Sequence, residues 1–186
     1  MKPEPKATPA VKVERIIHAP PDQVYRAWLD PDLVRLWMAP GFDVGRVEIE
    51  ERVGGRYSVW HMASGAHMGG FECEIRELVE NQRLVFRWGF VGPQRRDGPV
   101  YDSLLTITLQ ESPGNATALT LLHEQLDKFE AAMPDGARMV ETGWILVLDK
   151  LDDVLGRNAF SNLKRAFAGN SRSFPIRRHC SAHQGR

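Results

Sequence analysis

Cysteine is scarce in this chain, where only Cys73 and Cys180 occur among 186 residues. Two thiols are too few for the disulfide framework that stabilises small secreted domains, so the composition favours a reducing compartment. The N-terminal sequence MKPEPKATPAVKVE also lacks the apolar core of a secretory signal peptide. These two absences predict a cytoplasmic protein.

Long hydrophobic runs are absent as well. No stretch reaches the ~20 consecutive apolar residues that a membrane-spanning helix requires, so the sequence predicts no transmembrane segment. Apolar residues still make up 42% of the chain and charged residues 26%. These proportions are ordinary for a folded domain with a sizeable core.

Recognisable motifs for a cofactor or a metal are also missing. Gly54-Gly55 precedes a strand pattern, so it indicates a turn and not a phosphate-binding loop. The segment 179–183, HCSAH, brings three possible metal ligands together but has no fourth. We therefore expect no cofactor and no physiological metal.

Acidic residues are absent after Asp153. Residues 157–186 carry seven Arg and Lys residues, which leaves 17 basic against 24 acidic residues in the rest of a chain of zero net charge. Phe160, Leu163 and Phe167 fall at helical spacing in this basic segment. A short amphipathic helix there could touch a membrane surface, nucleic acid or the acidic body, or the segment could be a solvated extension. It has no aromatic stacking platform, so we expect no specific nucleic-acid partner.

The strongest positive signal is a helical pattern from Asp135 to Leu155. Asp135 can accept a hydrogen bond from a first-turn N–H group, and Gly156 suits a C-terminal cap. The pattern predicts a helix roughly 30 Å long with one apolar stripe. The stripe comprises Trp144, Val147, Leu148, Leu151, Val154 and Leu155. Such a stripe requires a large apolar partner surface.

Strand patterns fill most of the chain before that helix. Residues 11–18 suit a first strand, and the starts at Pro20-Pro21 and Asp30-Pro31 predict two short helices, the second ending near Trp37. Between residues 44 and 126 the apolar period changes to two and turn residues recur, which predicts about six further strands. Short connections make consecutive strands antiparallel. The predicted fold class is α+β, a sheet of about six to seven strands covered by the long helix, with two short helices after strand 1.

Five segments, in order, carry a family resemblance: ERIIHAPPDQVYRAWLDPDLVRLWMAP, VGGRYSV, GGFECEIRELVENQRLVFRW, ALTLLHEQL and ETGWILVLDKLDDVL. The chain resembles the START-like, or SRPBCC, superfamily and, within it, the family named after activator homologues of the heat-shock-protein-90 ATPase (bacterial type). The resemblance implies the helix-grip fold, in which a curved antiparallel sheet wraps around a long C-terminal helix. It covers roughly residues 11–156, the predicted START-like domain. The prolines and missing periodicity of residues 1–10 predict a flexible N-terminus, and residues 157–186 are predicted to be a basic, flexible tail. Met38 departs from the family, which often has a second Trp there.

A curved sheet closed by a helix can leave an apolar cavity between the two. The resemblance thus implies a small lipophilic or aromatic ligand as the partner. We expect this ligand to contact large residues of the gripping elements: Trp37, Met38, Trp60, Met62, Phe71, Trp88, Phe90, Tyr101, Leu105, His123 and Trp144. The alternative for each of them is that it fills the core. Alternation alone does not fix which strand face lines the cavity.

Two other functions stay open from the sequence. The superfamily includes cyclase- and dehydratase-type enzymes, and His61, His67 or His123 could supply acid/base chemistry in the same cavity. No spacing among these residues specifies a reaction. The family name also suggests a stress-related, co-chaperone-like interaction module, although no separate chaperone-binding N-terminal domain accompanies the resemblance. The pattern gives no oligomeric state.

Overall fold

The computed structural model describes residues 9–92 and 102–169, with side chains except at residue 132 and residues 157–169. Seven strands and four helices follow one another within these ranges. They are β1 (Val11–Ile17), α1 (Pro21–Leu29), α2 (Pro31–Trp37), β2 (Asp43–Ile49), β3 (Arg56–Ala63), β4 (Ala66–Val79), β5 (Arg83–Val91), β6 (Asp102–Ser112), β7 (Ala116–Glu124), α3 (Asp127–Ala132) and α4 (Gly136–Gly169).

The strands form one open antiparallel sheet in the order β1-β7-β6-β5-β4-β3-β2. Side chains alternate between its two faces, and on β6 the buried set is Ser103, Leu105, Ile107 and Leu109. Register shifts interrupt the pairing of β2 with β3, β3 with β4 and β4 with β5. Such irregularities bend strands and increase their twist. The sheet confirms the predicted antiparallel architecture and strand number.

Helix α4 covers the inner face of the sheet. Leu148, Leu151 and Leu155 are buried at helical spacing and belong to the main core. Arg15 of β1 makes an ion pair with Asp149 of α4 at 2.9 Å. The backbone N–H of His18, after β1, donates to the carboxylate of Asp152 on the same helix at 2.7 Å. This arrangement is the helix-grip fold that the resemblance implied.

The two short helices after β1 also follow the prediction. Pro21 and Pro31 occupy first turns, and the Asp30 carboxylate accepts hydrogen bonds from the N–H groups that open α2. The Trp37 indole N–H donates to the carbonyl of Ala27 at 3.1 Å, and its ring meets Trp28 edge-on at 4.8 Å. These contacts fix α2 against α1.

The long helix begins where the sequence predicted, at Gly136, but its predicted N-terminal cap and its predicted C-terminal end are both wrong. Asp135 has a φ of 65°, and its carboxylate pairs with Arg138. The first-turn N–H of Ala137 instead donates to the Glu130 carboxylate at 2.7 Å. This carboxylate lies on α3, a helix that the sequence pattern did not indicate.

At the other end, α4 continues through Gly156 to Gly169. Glycine ends a helix where the backbone turns to positive φ. Gly156 does not adopt such a conformation, so it is an ordinary helical residue. Within residues 9–92 and 102–169, no helix is long and apolar enough to cross a membrane.

Candidate functional site: an apolar groove beneath the long helix

An apolar groove of about 380 Å³ opens between the sheet and the first half of α4. The end of α2 and the segment after it, the inner faces of β4 and β5, α3 and α4 all contribute to it. Its described lining comprises Met38, Phe42, Phe71, Phe90, Phe129, Met139, Val140, Gly143, Trp144 and Val147. No residue in that list carries a titratable side chain.

The spacing of residues on α4 explains how one helix serves both the core and the groove. Val140, Trp144 and Val147 recur at steps of four and three, so they share one side of the helix. All three are buried and line the groove. Gly143 adds open space, because a Cβ atom built there would have no neighbour within 4 Å.

Stacked rings form the wall on the sheet side. The Phe129 ring of α3 lies 4.7 Å from the Phe90 ring of β5, at an interplanar angle of 23°. Phe90 in turn lies 5.8 Å from the His123 ring of β7, at 17°. Phe71 contacts Trp88, one layer deeper, at 4.8 Å. Because the Phe71 and Phe90 rings also meet at 5.7 Å, the lining rings Phe129, Phe90 and Phe71 form a continuous aromatic wall.

Trp144 is joined to the sheet by a buried hydrogen-bond chain. Its indole N–H donates to Nδ1 of His123 at 3.0 Å, so this nitrogen carries no proton. The proton of the neutral imidazole then sits on Nε2, which lies 2.7 Å from Oγ of Ser103. Ser103 accepts that hydrogen bond and donates its own hydroxyl proton to the carbonyl of Trp88 at 3.0 Å. All three donors in this series of hydrogen bonds, the Trp144 N–H, the His123 Nε2–H and the Ser103 hydroxyl, therefore have an acceptor.

Burial keeps His123 neutral. Desolvation lowers the pKa of His123 from 6.5 to about 3. Both ring nitrogens are also occupied by protein partners. His123 therefore lacks the free nitrogen that a general acid or base needs.

His61 lies on the other side of the groove, behind two lining residues. Its ring stacks on Phe42 at 5.8 Å and meets Phe71 edge-on at 5.0 Å. Desolvation lowers its pKa below the usual value. Its Nε2 atom is buried and makes no hydrogen bond within the described part of the chain.

Comparison with known proteins places the chain in a family. Residues 18–156 match the family model described as Activator of Hsp90 ATPase homolog 1-like protein. The chain belongs to this family. A search of curated proteins returns no match.

Solved structures of bacterial proteins share the fold of this chain. A Chromobacterium violaceum protein is 30% identical, with 78% of this chain and 96% of that chain covered and a TM-score of 0.65. A Rhizobium loti protein is 28% identical, with coverages of 78% and 96% and a TM-score of 0.63. A Mycobacterium smegmatis protein at 20% identity, covering 81% and 93% with a TM-score of 0.66, supports the fold alone.

The structure brings four of the eleven residues proposed from the sequence onto the groove wall: Met38, Phe71, Phe90 and Trp144. Four more are buried in the layer behind it: Trp37, Trp88, Leu105 and His123. Whether any of these eight contacts a ligand stays a prediction. The family resemblance indicated the correct strands and helices, but it did not show which of their residues line the groove and which are buried in the core.

Of the remaining three candidates, Trp60 and Met62 lie outside the groove lining. Trp60 follows Val59, which pairs with the groove residue Phe71, so alternation places Trp60 on the opposite sheet face. Its ring meets His67 there at 5.9 Å. Met62 lines a neighbouring depression at the β2–β3 end, which shares Phe42 with the groove. Tyr101 lies outside the described residues.

Sequence reasoning missed part of the wall. Phe129 belongs to α3, a six-residue helix too short to show an apolar period. Phe42 follows α2 in a non-periodic segment. Val147 was part of the predicted apolar stripe but was not among the ligand-contact candidates, and Ser103, which anchors His123, gives no pattern of its own. Phe42, Ser103 and Phe129 also lie outside the five family motifs.

Proposed function

We propose that the protein binds a small, uncharged lipophilic or aromatic molecule in the apolar groove. The observation that carries the proposal is the lining itself, which contains five aromatic rings and no titratable side chain among its described residues. Ligand pockets are typically concave and mainly apolar. A charged ligand would lose hydration there without gaining a charged partner from this lining.

The mouth of the groove supports the same proposal. Phe42 is 49% exposed and Met139 is 54% exposed, although both are large and apolar. Both also line the groove. Covering these side chains with a lipophilic molecule would remove apolar surface from water, which is worth about 25 cal/mol per Å². The START-like superfamily commonly binds hydrophobic ligands, in agreement with this use of the groove.

Catalysis is the less supported alternative. Of the three histidines considered, His123 has both nitrogens engaged, and His67 contacts Trp60 on the opposite face. His61 lies behind Phe42 and Phe71 and does not belong to the lining. The described lining thus supplies apolar contact and no acid/base group, which favours binding over chemistry.

A matched pair of glycine substitutions in α4 tests the proposal. Gly143 lines the groove and Gly156 does not, while a Cβ atom at either position meets nothing within 4 Å. Both Gly143→Leu and Gly156→Leu should therefore fold, each gaining roughly 0.5–1 kcal/mol of helix propensity. Only Gly143→Leu places a side chain in the groove.

The probe is the neutral fluorophore N-phenyl-1-naphthylamine, titrated into wild type and both variants. We expect wild type and Gly156→Leu to bind it alike and Gly143→Leu to bind at least about tenfold more weakly, since displacing about five ligand atoms costs that much. Equal affinity in all three proteins would show that the probe binds elsewhere. No binding by wild type would count against the proposal.

A further inference from the structure

Two residues on different walls of the groove share one partner behind it. Trp144 on α4 donates its indole N–H to His123, and Phe90 on β5 lies almost parallel to the same imidazole. His123 is fully buried and is absent from the groove lining. It therefore contacts one residue of each wall from behind the groove lining.

We propose that His123 is the positioning residue of the groove: one neutral imidazole holds Trp144 through a hydrogen bond and Phe90 through ring contact, and so fixes the separation of the helix wall from the sheet wall. The effect of His123 on ligand binding rests on the proposed function. The position of Trp144 can be measured without any ligand, so the positioning role and the proposed function can be refuted independently.

The anchor on β6 gives the imidazole a single orientation. Its Nε2–H points to Ser103 Oγ, whose own proton is used by the Trp88 carbonyl. Rotating the ring by half a turn would place carbon atoms opposite both Ser103 and Trp144. Two buried donors would then lack acceptors, at a cost of about 1–3 kcal/mol each. The ring orientation, and through it the position of Trp144, is therefore set by the sheet.

The remaining contacts of His123 are also apolar or neutral. The Trp88 ring lies 6.3 Å away at 78°, and the Trp144 ring lies 6.0 Å away at 62°. No charged side chain forms an ion pair or hydrogen bond with the imidazole among the described contacts. Its two roles, as acceptor and as ring, are thus separable by substitution.

Two variants separate these roles. His123→Phe keeps a ring beside Phe90 but removes the acceptor for Trp144. His123→Asn removes the ring, yet its Oδ1 atom can take the place of Nδ1 and keep that acceptor. The primary readout is the Trp144 indole ¹H–¹⁵N resonance, assigned by its loss in Trp144→Phe. This resonance reports the Trp144–His123 hydrogen bond directly. A measurement of overall stability would not distinguish the loss of that bond from any other destabilising effect.

We expect the wild-type imidazole ¹⁵N shifts to show the proton on Nε2 and an acceptor at Nδ1. In His123→Phe the Trp144 indole resonance should move, and N-phenyl-1-naphthylamine should bind about three- to tenfold more weakly, as expected for one lost neutral hydrogen bond. In His123→Asn the indole resonance should stay near its wild-type position. An unchanged indole resonance or unchanged probe affinity in folded His123→Phe would overturn the proposal.

A second variant covers the case in which His123→Phe does not fold. Ser103→Ala removes the hydrogen-bond partner of His123 Nε2 without changing any groove residue. It should shift the Trp144 indole resonance and lower the affinity for N-phenyl-1-naphthylamine. Unchanged signals in Ser103→Ala would refute the positioning role. If wild type binds no probe, the proposed function fails, and the indole resonance alone then decides whether His123 positions Trp144.

Discussion

At the scale of single residues, His123 shows what a sequence can and cannot indicate. Its place on a strand beside a predicted cavity made it a candidate for ligand contact or acid/base chemistry. In the structure both of its ring nitrogens have protein partners, and it lies behind the groove lining. The difference depends on Ser103 and Trp144, which lie 20 and 21 residues away in the chain. No local pattern encodes such pairings.

His123 should make folding stability depend on pH. Its folded pKa is about 3 and its ordinary value is 6.5, so between these values the unfolded chain binds a proton that the folded protein excludes. The free energy of unfolding should thus fall as pH falls through this window, by up to about 1.4 kcal/mol per pH unit. Above pH 6.5 this contribution is fully present.

Urea unfolding of wild type and His123→Phe at pH 7, 5.5 and 4 measures that contribution. Both proteins retain the same carboxylates and the other histidines. The difference between them in how steeply the free energy of unfolding changes with pH is therefore due to His123. We expect the shallower pH dependence in His123→Phe. Parallel slopes would mean that His123 is as easily protonated in the folded protein as in the unfolded chain.

At the scale of elements, different residues of α4 line the groove and fill the core. Trp144 and Val147 line the groove, whereas Leu148, Leu151 and Leu155 pack only in the core. The sequence pattern predicted one apolar stripe, with the part around Trp144 as the wall of a pocket and Leu151 to Leu155 anchoring the helix to the sheet. It could not indicate that the helix is capped by Glu130 from α3, because that contact depends on how α3 and α4 meet.

Leu151→Ala should separate stability from binding. Leu151 is fully buried, so truncation should cost about 2–5 kcal/mol of unfolding free energy in urea. Leu146→Ala on the same helix is the control, because Leu146 is 54% exposed and should change stability by less than about 0.5 kcal/mol. Probe affinity of the folded fraction should be unchanged in both. A loss of affinity in Leu151→Ala would show that core and groove are not separate.

At the scale of the whole molecule, the sequence predicted the architecture well and the groove only in part. The order of the elements and the period of their apolar residues were enough to predict an antiparallel sheet, two short helices and a long helix, since each element carries its own pattern. The groove instead depends on which strand face turns inward. Trp60 and Phe71 were equal candidates, and only the pairing of β3 with β4 separates them.

The division of the chain into a domain and a basic tail remains a prediction. The family match ends at residue 156, and the described groove lining lies between residues 38 and 147. A chain ending at residue 156 should therefore keep wild-type probe affinity and a Tm within a few degrees of the full chain. Loss of cooperative unfolding on truncation would instead make residues 157–186 part of the domain.

The position of a bound lipophile tests the central claim most directly. Of the methionines, Met38 and Met139 line the groove, while Met62 and Met68 lie outside its lining. Methyl ¹H–¹³C spectra of methionine-labelled protein, recorded during titration with N-phenyl-1-naphthylamine, should show saturable shifts at Met38 and Met139 and none at Met62 and Met68. Shifts confined to Met62 and Met68, or no saturable shift at any methionine, would contradict a ligand site in the groove.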